Sequence, residues 1–118
     1  MGLDSYPLLD VIIDTTGAGD HIIVAGIPGR TIRVFALFIV LDADTLLTVK
    51  DGPAIALTGA MSMLAHGTIV FDIDGEHWFI TSVGNDFILN TSSASGLKGR
   101  LYYTQTMQLP VGSTEQLV

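Results

Sequence analysis

Asp14 and Asp20 bracket a glycine-containing segment, Asp14-Thr15-Thr16-Gly17-Ala18-Gly19-Asp20, with His21 directly after it. Residues of these types could do two kinds of chemistry. Glycines leave backbone N–H groups free to hold an anion, and a neighbouring Asp could take a proton from an attacking hydroxyl, as phosphoryl transfer to an alcohol requires. Alternatively, an Asp on a tight Thr/Gly turn could share a proton with a second carboxylate and activate water.

Each chemistry makes a demand on the elements around it. DTTGAGD resembles the C-terminal signature of the ribokinase-like sugar kinases, in which the turn is backed by a helix N-terminus and closes a much larger α/β domain. Here the segment lies near the start of a chain of 118 residues. It is followed by β-branched Ile22, Ile23 and Val24 and then by Pro28-Gly29, which reads as strand, turn, strand. Pro28 and Gly29 suit positions i+1 and i+2 of a type II turn. The stretch VIIDTTGAGD is also similar to the aspartic-protease active-site turn, but Thr16 moves Gly17 one position out and breaks that pattern. Asp20 is therefore expected to be a loop carboxylate that caps local N–H groups, and no catalytic residue is assigned.

Composition narrows the function classes. Hydrophobic residues make up 48% and charged residues 14%, a balance that builds a core. With 5 Lys+Arg against 12 Asp+Glu, the formal net charge of −7 has the wrong sign for tracking phosphates, so no nucleic-acid partner is expected. No apolar run is long enough for a membrane helix, and no membrane partner is expected. The absence of Cys excludes thiolate chemistry and disulfides.

The chain repeats one pattern of short β-rich runs between turn residues. Strands are expected at 8–14, 21–25, 31–41, 45–50, 54–57, 68–73, 77–82, 87–91 and 97–107. Asp74-Gly75 is read as a hairpin turn joining 68–73 to 77–82. The segment 59–67, GAMSMLAHG, fits either a helical turn or a strand bend. The expected fold is all-β: an antiparallel β-sandwich of about eight strands, jelly-roll-like, with exposed terminal arms. Its parts are residues 1–14 as N-terminal arm and first strand, 15–107 as the sandwich core, and 108–118 as a tail.

The strand TIRVFALFIVL is apolar on both faces. Strict alternation places Ile32, Val34, Ala36, Phe38 and Val40 on one side and Arg33, Phe35, Leu37, Ile39 and Leu41 on the other. One apolar side belongs to the core; the other must be covered by a loop, such as 59–67, or by another subunit. The subunit reading makes Phe35, Leu37 and Ile39 a candidate oligomer interface, with Tyr102 and Tyr103 of the last strand joining it.

The remaining candidates are weaker. Asp72-Ile73-Asp74-Gly75-Glu76 has the start of a calcium loop but no flanking helices. His21, His66 and His77 lack metal-ligand spacing. Trp78-Phe79 could form a sugar-stacking platform, though a lone Trp in a small sandwich more often belongs to a core or interface. No metal or cofactor is expected.

One ordered series remains: T-G-A-G-D-H-x-I-V-A-G-x-x-G-R-x-I-R-V, then V-K-D-G, L-T-G-A-M, W-F-x-T-S-x-G-N and G-R-L-Y-Y. Spanning about residues 15 to 106, it resembles the small β-rich virion proteins of tailed bacteriophages. The resemblance implies a structural, non-enzymatic capsid decoration or cement subunit that forms a homo-oligomer, with a trimer favoured. It implies a partner in the major capsid protein or another virion protein. The implied place is the outer surface of the particle, after assembly in the host cytoplasm. The alternative within the same group is a fibre or neck component that binds a host glycan or another virion protein.

Overall fold

The computed structural model describes residues 8–73 and 75–107. The expected terminal arm and tail, 1–7 and 108–118, and Asp74 of the expected hairpin turn, lie outside them. Among the described residues ten strands succeed one another: β1 (Leu9–Thr15), β2 (Gly19–Val24), β3 (Arg30–Leu41), β4 (Thr45–Asp51), β5 (Ile55–Ala56), β6 (Met61–Met63), β7 (Thr68–Phe71), β8 (Phe79–Ile80), β9 (Phe87–Thr91) and β10 (Leu97–Met107). No helix occurs among the described residues. The strands form two antiparallel five-stranded sheets, so the chain is an all-β sandwich. The first is ordered β1-β10-β3-β7 with β8 also on β3, and the second β2-β9-β4-β5 with β6 also on β4.

The pairing is nested. β1 pairs with β10, β2 with β9, β3 with β7 and β8, and β4 with β5 and β6. This is one long hairpin rolled up so that β10 meets β3 and β9 meets β4, the winding of a jelly roll. Counting β5–β6 and β7–β8 each as one interrupted strand gives the expected eight. The core fills the gap between the sheets with Ile32, Val34, Leu37, Ile39 and Leu41 of β3, Leu97 and Leu101 of β10, and Leu47, Val49, Phe87 and Leu89 from the second sheet.

Local chemistry explains several joints. Arg30 N–H donates to the Ile27 carbonyl at 3.0 Å and Gly29 has φ +81°, as a type II turn on Pro28-Gly29 requires. The 59–67 segment is a strand bend: Met61–Met63 pairs with Thr45–Leu47 and the chain then turns at Ala65-His66.

Two expectations are corrected. First, 68–73 and 77–82 do not form a hairpin with each other. Phe71 lies opposite Leu37 and Phe79 opposite Val34, so β7 and β8 are two pieces of one edge strand along β3. Between them, residues 72–73 and 75–78 leave the β3 edge as an excursion. Trp78 closes its base: the Trp78 indole N–H donates to the Asp72 carbonyl at 2.8 Å and its ring lies on Phe71 at 4.9 Å.

Second, the two faces of β3 are not the ones strict alternation gives. Tyr102 pairs with Ala36 but Tyr103 pairs with Val34, so Phe35 is an extra, bulged residue. A bulge shifts the inside-outside alternation by one place. Ile32 and Val34 point inward before it, and Leu37, Ile39 and Leu41 point inward after it.

Candidate functional site

Beyond the bulge, the outer side of β3 carries Ala36, Phe38 and Val40. The flanking strands supply its neighbours: Val70 opposite Phe38 on β7, Arg100 opposite Phe38 on β10, and Tyr102 opposite Ala36. On β1, Asp10, Ile12 and Asp14 stand beside Tyr102, Arg100 and Lys98. Val70, Phe38 and Val40, 59%, 47% and 37% exposed, form an apolar patch open to solvent on β3 and β7; Ile12, 67% exposed, is set apart from them by Arg100 and Lys98 of β10. Three large apolar side chains at neighbouring positions are the kind of patch that marks a binding surface.

The patch is not flat. Ala36, the one small residue on the outer side of this stretch, is buried beneath larger neighbours. Phe38, Val70, Phe71, Asp72, Tyr102 and Arg100 surround it, leaving a notch of about 100 Å³. Along one margin, Asp10 pairs with Arg100 at 3.2 Å and Asp14 pairs with Lys98. These pairs are exposed and add little stability. Their effect is to balance the local charge.

The residues expected at the interface are dispersed. Leu37 and Ile39 are 2% and 0% exposed and belong to the core between the sheets. Their placement on an outer face is corrected, because the bulge at Phe35 turns them inward. Phe35 is also buried but lies outside that core; its ring stands at right angles to the His77 ring, with centroids 6.2 Å apart. The loop residue His77 covers this part of β3, while the expected cover, 59–67, meets β3 only at its end, where His66 and Gly67 bond Leu41. Tyr103 packs against the core, and Tyr102 alone of the five stands on the open face. Sequence reasoning missed Phe38, Val40 and Val70, which a single-residue slip hid. Ile12 was missed as well, although the alternation Asp10–Ile12–Asp14 is the signal that could have placed it on the outer side.

The outer face of the second sheet differs. Asp20 lies in β2, where it pairs with Lys50 at 3.0 Å and accepts from the Asn90 side-chain amide at 2.7 Å. It is a strand residue held by side chains, which corrects its expected place in a loop capping backbone N–H groups. Gly19 opens a strand, so no helix N-terminus stands behind the glycines. The Asn90 hydrogen bond, then Lys50, holds the Asp20 carboxyl below its ordinary value of 3.8. A lowered carboxyl stabilises the fold above its unfolded value, and that contribution is lost as the pH falls through the lowered folded value. Asn90→Ala should raise the Asp20 pKa towards the ordinary value, read by NMR titration of its side-chain carboxyl. Asp20→Asn should cost at most about 1 kcal/mol. An unchanged titration in Asn90→Ala would show the pair is not formed in solution.

The other acids hold the loops at the two ends of the sandwich. At one end the Asp51 carboxylate accepts from Ser82 N–H at 2.9 Å, Ser82 Oγ at 2.7 Å and Asn85 Nδ2 at 3.1 Å, and Asp86 accepts from Gly26 N–H at 2.6 Å. At the other, Asp42 accepts from Gly96 N–H at 2.6 Å and Asp44 from Ala65 N–H at 2.7 Å. Among the described residues, no group of three His, Asp or Glu is placed to hold a metal ion. Comparison with protein-family models, with curated proteins and with solved structures finds no match.

Proposed function

We propose that this chain is a structural subunit that works by binding, assembling as a homo-oligomer on a larger particle. The observation that carries the reading is the exposed apolar face of Phe38, Val40 and Val70 on a sandwich whose carboxylates largely serve its own loops and ion pairs. The setting comes from the resemblance to phage virion proteins: a head decoration or cement subunit, docked on the major capsid protein or another virion protein. Decoration by many weak, repeated contacts relies on avidity, for which a small self-associating sandwich is well suited.

The second reading, a fibre or neck component that binds glycan, rests on Trp78. The residue is 44% exposed and its ring is held by Phe71 and by the Asp72 carbonyl, a fixed aromatic surface of the type on which sugars stack.

One experiment separates the two. Particles purified on a density gradient from a culture that produces this chain should contain it in many copies, and labelling should place it on the head surface. Labelling confined to fibres or neck, together with quenching of the single tryptophan's fluorescence by a glycan, supports the second reading. Recovery of the chain only in the particle-free fraction overturns both.

A further inference from the structure

We propose that two copies of this chain meet through the outer face of the first sheet, about a two-fold axis crossing β3 between Ala36 and Phe38. The ring of each Phe38 then sits in the notch over the other copy's Ala36. The inference rests on the self-association proposed for this chain and names its partner and geometry.

Shape supports it first. Knob and hole lie side by side on one strand: Phe38 stands 47% exposed, and two residues away Ala36 floors a notch of about 100 Å³. An enclosed apolar cavity of roughly 150 Å³ takes a whole benzene ring, so this open notch accepts the leading part of a phenyl ring. A two-fold axis between the two positions exchanges them, and one patch then satisfies both copies at once.

Symmetry supports it next. A patch that meets itself produces a two-fold pair, whereas a three-fold ring needs two different complementary patches on each subunit. The opposite outer face carries the Asp20–Lys50–Asn90 network across its three central strands, beside Ile22 and Ile88. The face of Phe38 and Ala36 therefore favours a dimer over the trimer expected from the sequence.

Charge identifies the occupant. The chain carries a formal net charge of −7, so two copies repel at long range. They can approach closely only where charge is locally balanced. Asp10 and Asp14 against Arg100 and Lys98 balance the charge on the β1 and β10 side of this face, and Asp72 is the one acid lining the notch. A basic partner would be drawn to the acidic remainder of the surface, and an acidic one gains no attraction here. A face whose basic groups are paired and whose knob and notch complement each other suits another copy.

Sedimentation equilibrium and light scattering of the full chain across a wide concentration range test this. The wild type should be a dimer, and added salt should tighten it by screening the mutual repulsion. Phe38→Asp should raise the dissociation constant at least ~100-fold, since both rings are lost from one interface. Its far-UV circular dichroism should stay unchanged, because Phe38 lies outside the core. Val70→Lys, on another strand, should do the same and carries the test alone should Phe38→Asp fold poorly. A dimer or trimer that both substitutions leave intact overturns this inference while self-association stands. A wild-type monomer at every concentration overturns both.

Discussion

Gly99→Ala should lose on the order of 3 kcal/mol of stability, about 10 °C in Tm for a domain of this size. Gly99 is flanked on β10 by the core residues Leu97 and Leu101 and pairs with Ile13 on one side and Ile39 on the other. A Cβ built there would lie 1.8 Å from the Phe38 carbonyl oxygen and 2.9 Å from the Ile39 Cα. Both are backbone atoms of the central strand, so no side chain can swing away. Relief requires β10 to separate from β3 in the longest pairing of the sheet. Overpacking in a core usually costs about 1–3 kcal/mol, and a clash with backbone belongs at the upper end. Gly59→Ala is the matched control, since its Cβ would meet nothing within 4 Å. Thermal unfolding of both variants checks the result. Equal Tm values would show that β3 and β10 run farther apart in solution.

Asp51→Ala should be comparably damaging, at about 3 kcal/mol. The Asp51 carboxylate is buried and gathers donors from Ser82 and Asn85. This ties the end of β4 in the second sheet to the loop that arrives from β8 in the first. Hydrogen bonds to a charged group contribute roughly 1.5–3 kcal/mol each. Their sum is not lost in full, because Ser82 is exposed and water can replace part of what the carboxylate supplied. Asp51→Asn keeps one acceptor oxygen and should lose about half as much. Urea unfolding should show a lower midpoint for both in that order, at an unchanged slope. An Asn variant as unstable as the Ala variant would assign the effect to charge and not to the number of acceptors.

What the sequence disclosed, and what it hid, divides along the range of the interactions. The turn on Pro28-Gly29 was legible because two residue types meet a dihedral requirement within four positions. Most strand segments were legible from β-branched runs between turn residues. The supposed hairpin at Asp74-Gly75 failed because a turn signal is local, while β7 and β8 each find their partner in β3. The open face of the first sheet was hidden by the bulge at Phe35. Nothing in TIRVFALFIVL announces that register slip, since apolar residues fill both alternations. It becomes visible only when Tyr102 and Tyr103 are seen opposite Ala36 and Val34. Asp20 was displaced for a similar reason: its partners, Lys50 and Asn90, are remote in sequence.

The nested pairing has a consequence during synthesis. The innermost pair, β4 with β5 and β6, can close as soon as it leaves the ribosome. The outermost, β1 with β10, cannot close until Leu97–Tyr103 has been made. At ordinary elongation rates β1 waits on the order of 5–20 s without a partner. Throughout that time Val11-Ile12-Ile13 is a bare β-forming stretch of the kind that recruits other nascent chains. Asp10 and Asp14 stand immediately on either side of it. Their ion pairs contribute little to the finished sandwich; as flanking charges they act as gatekeepers of the unfinished one, keeping the first strand soluble until the last arrives.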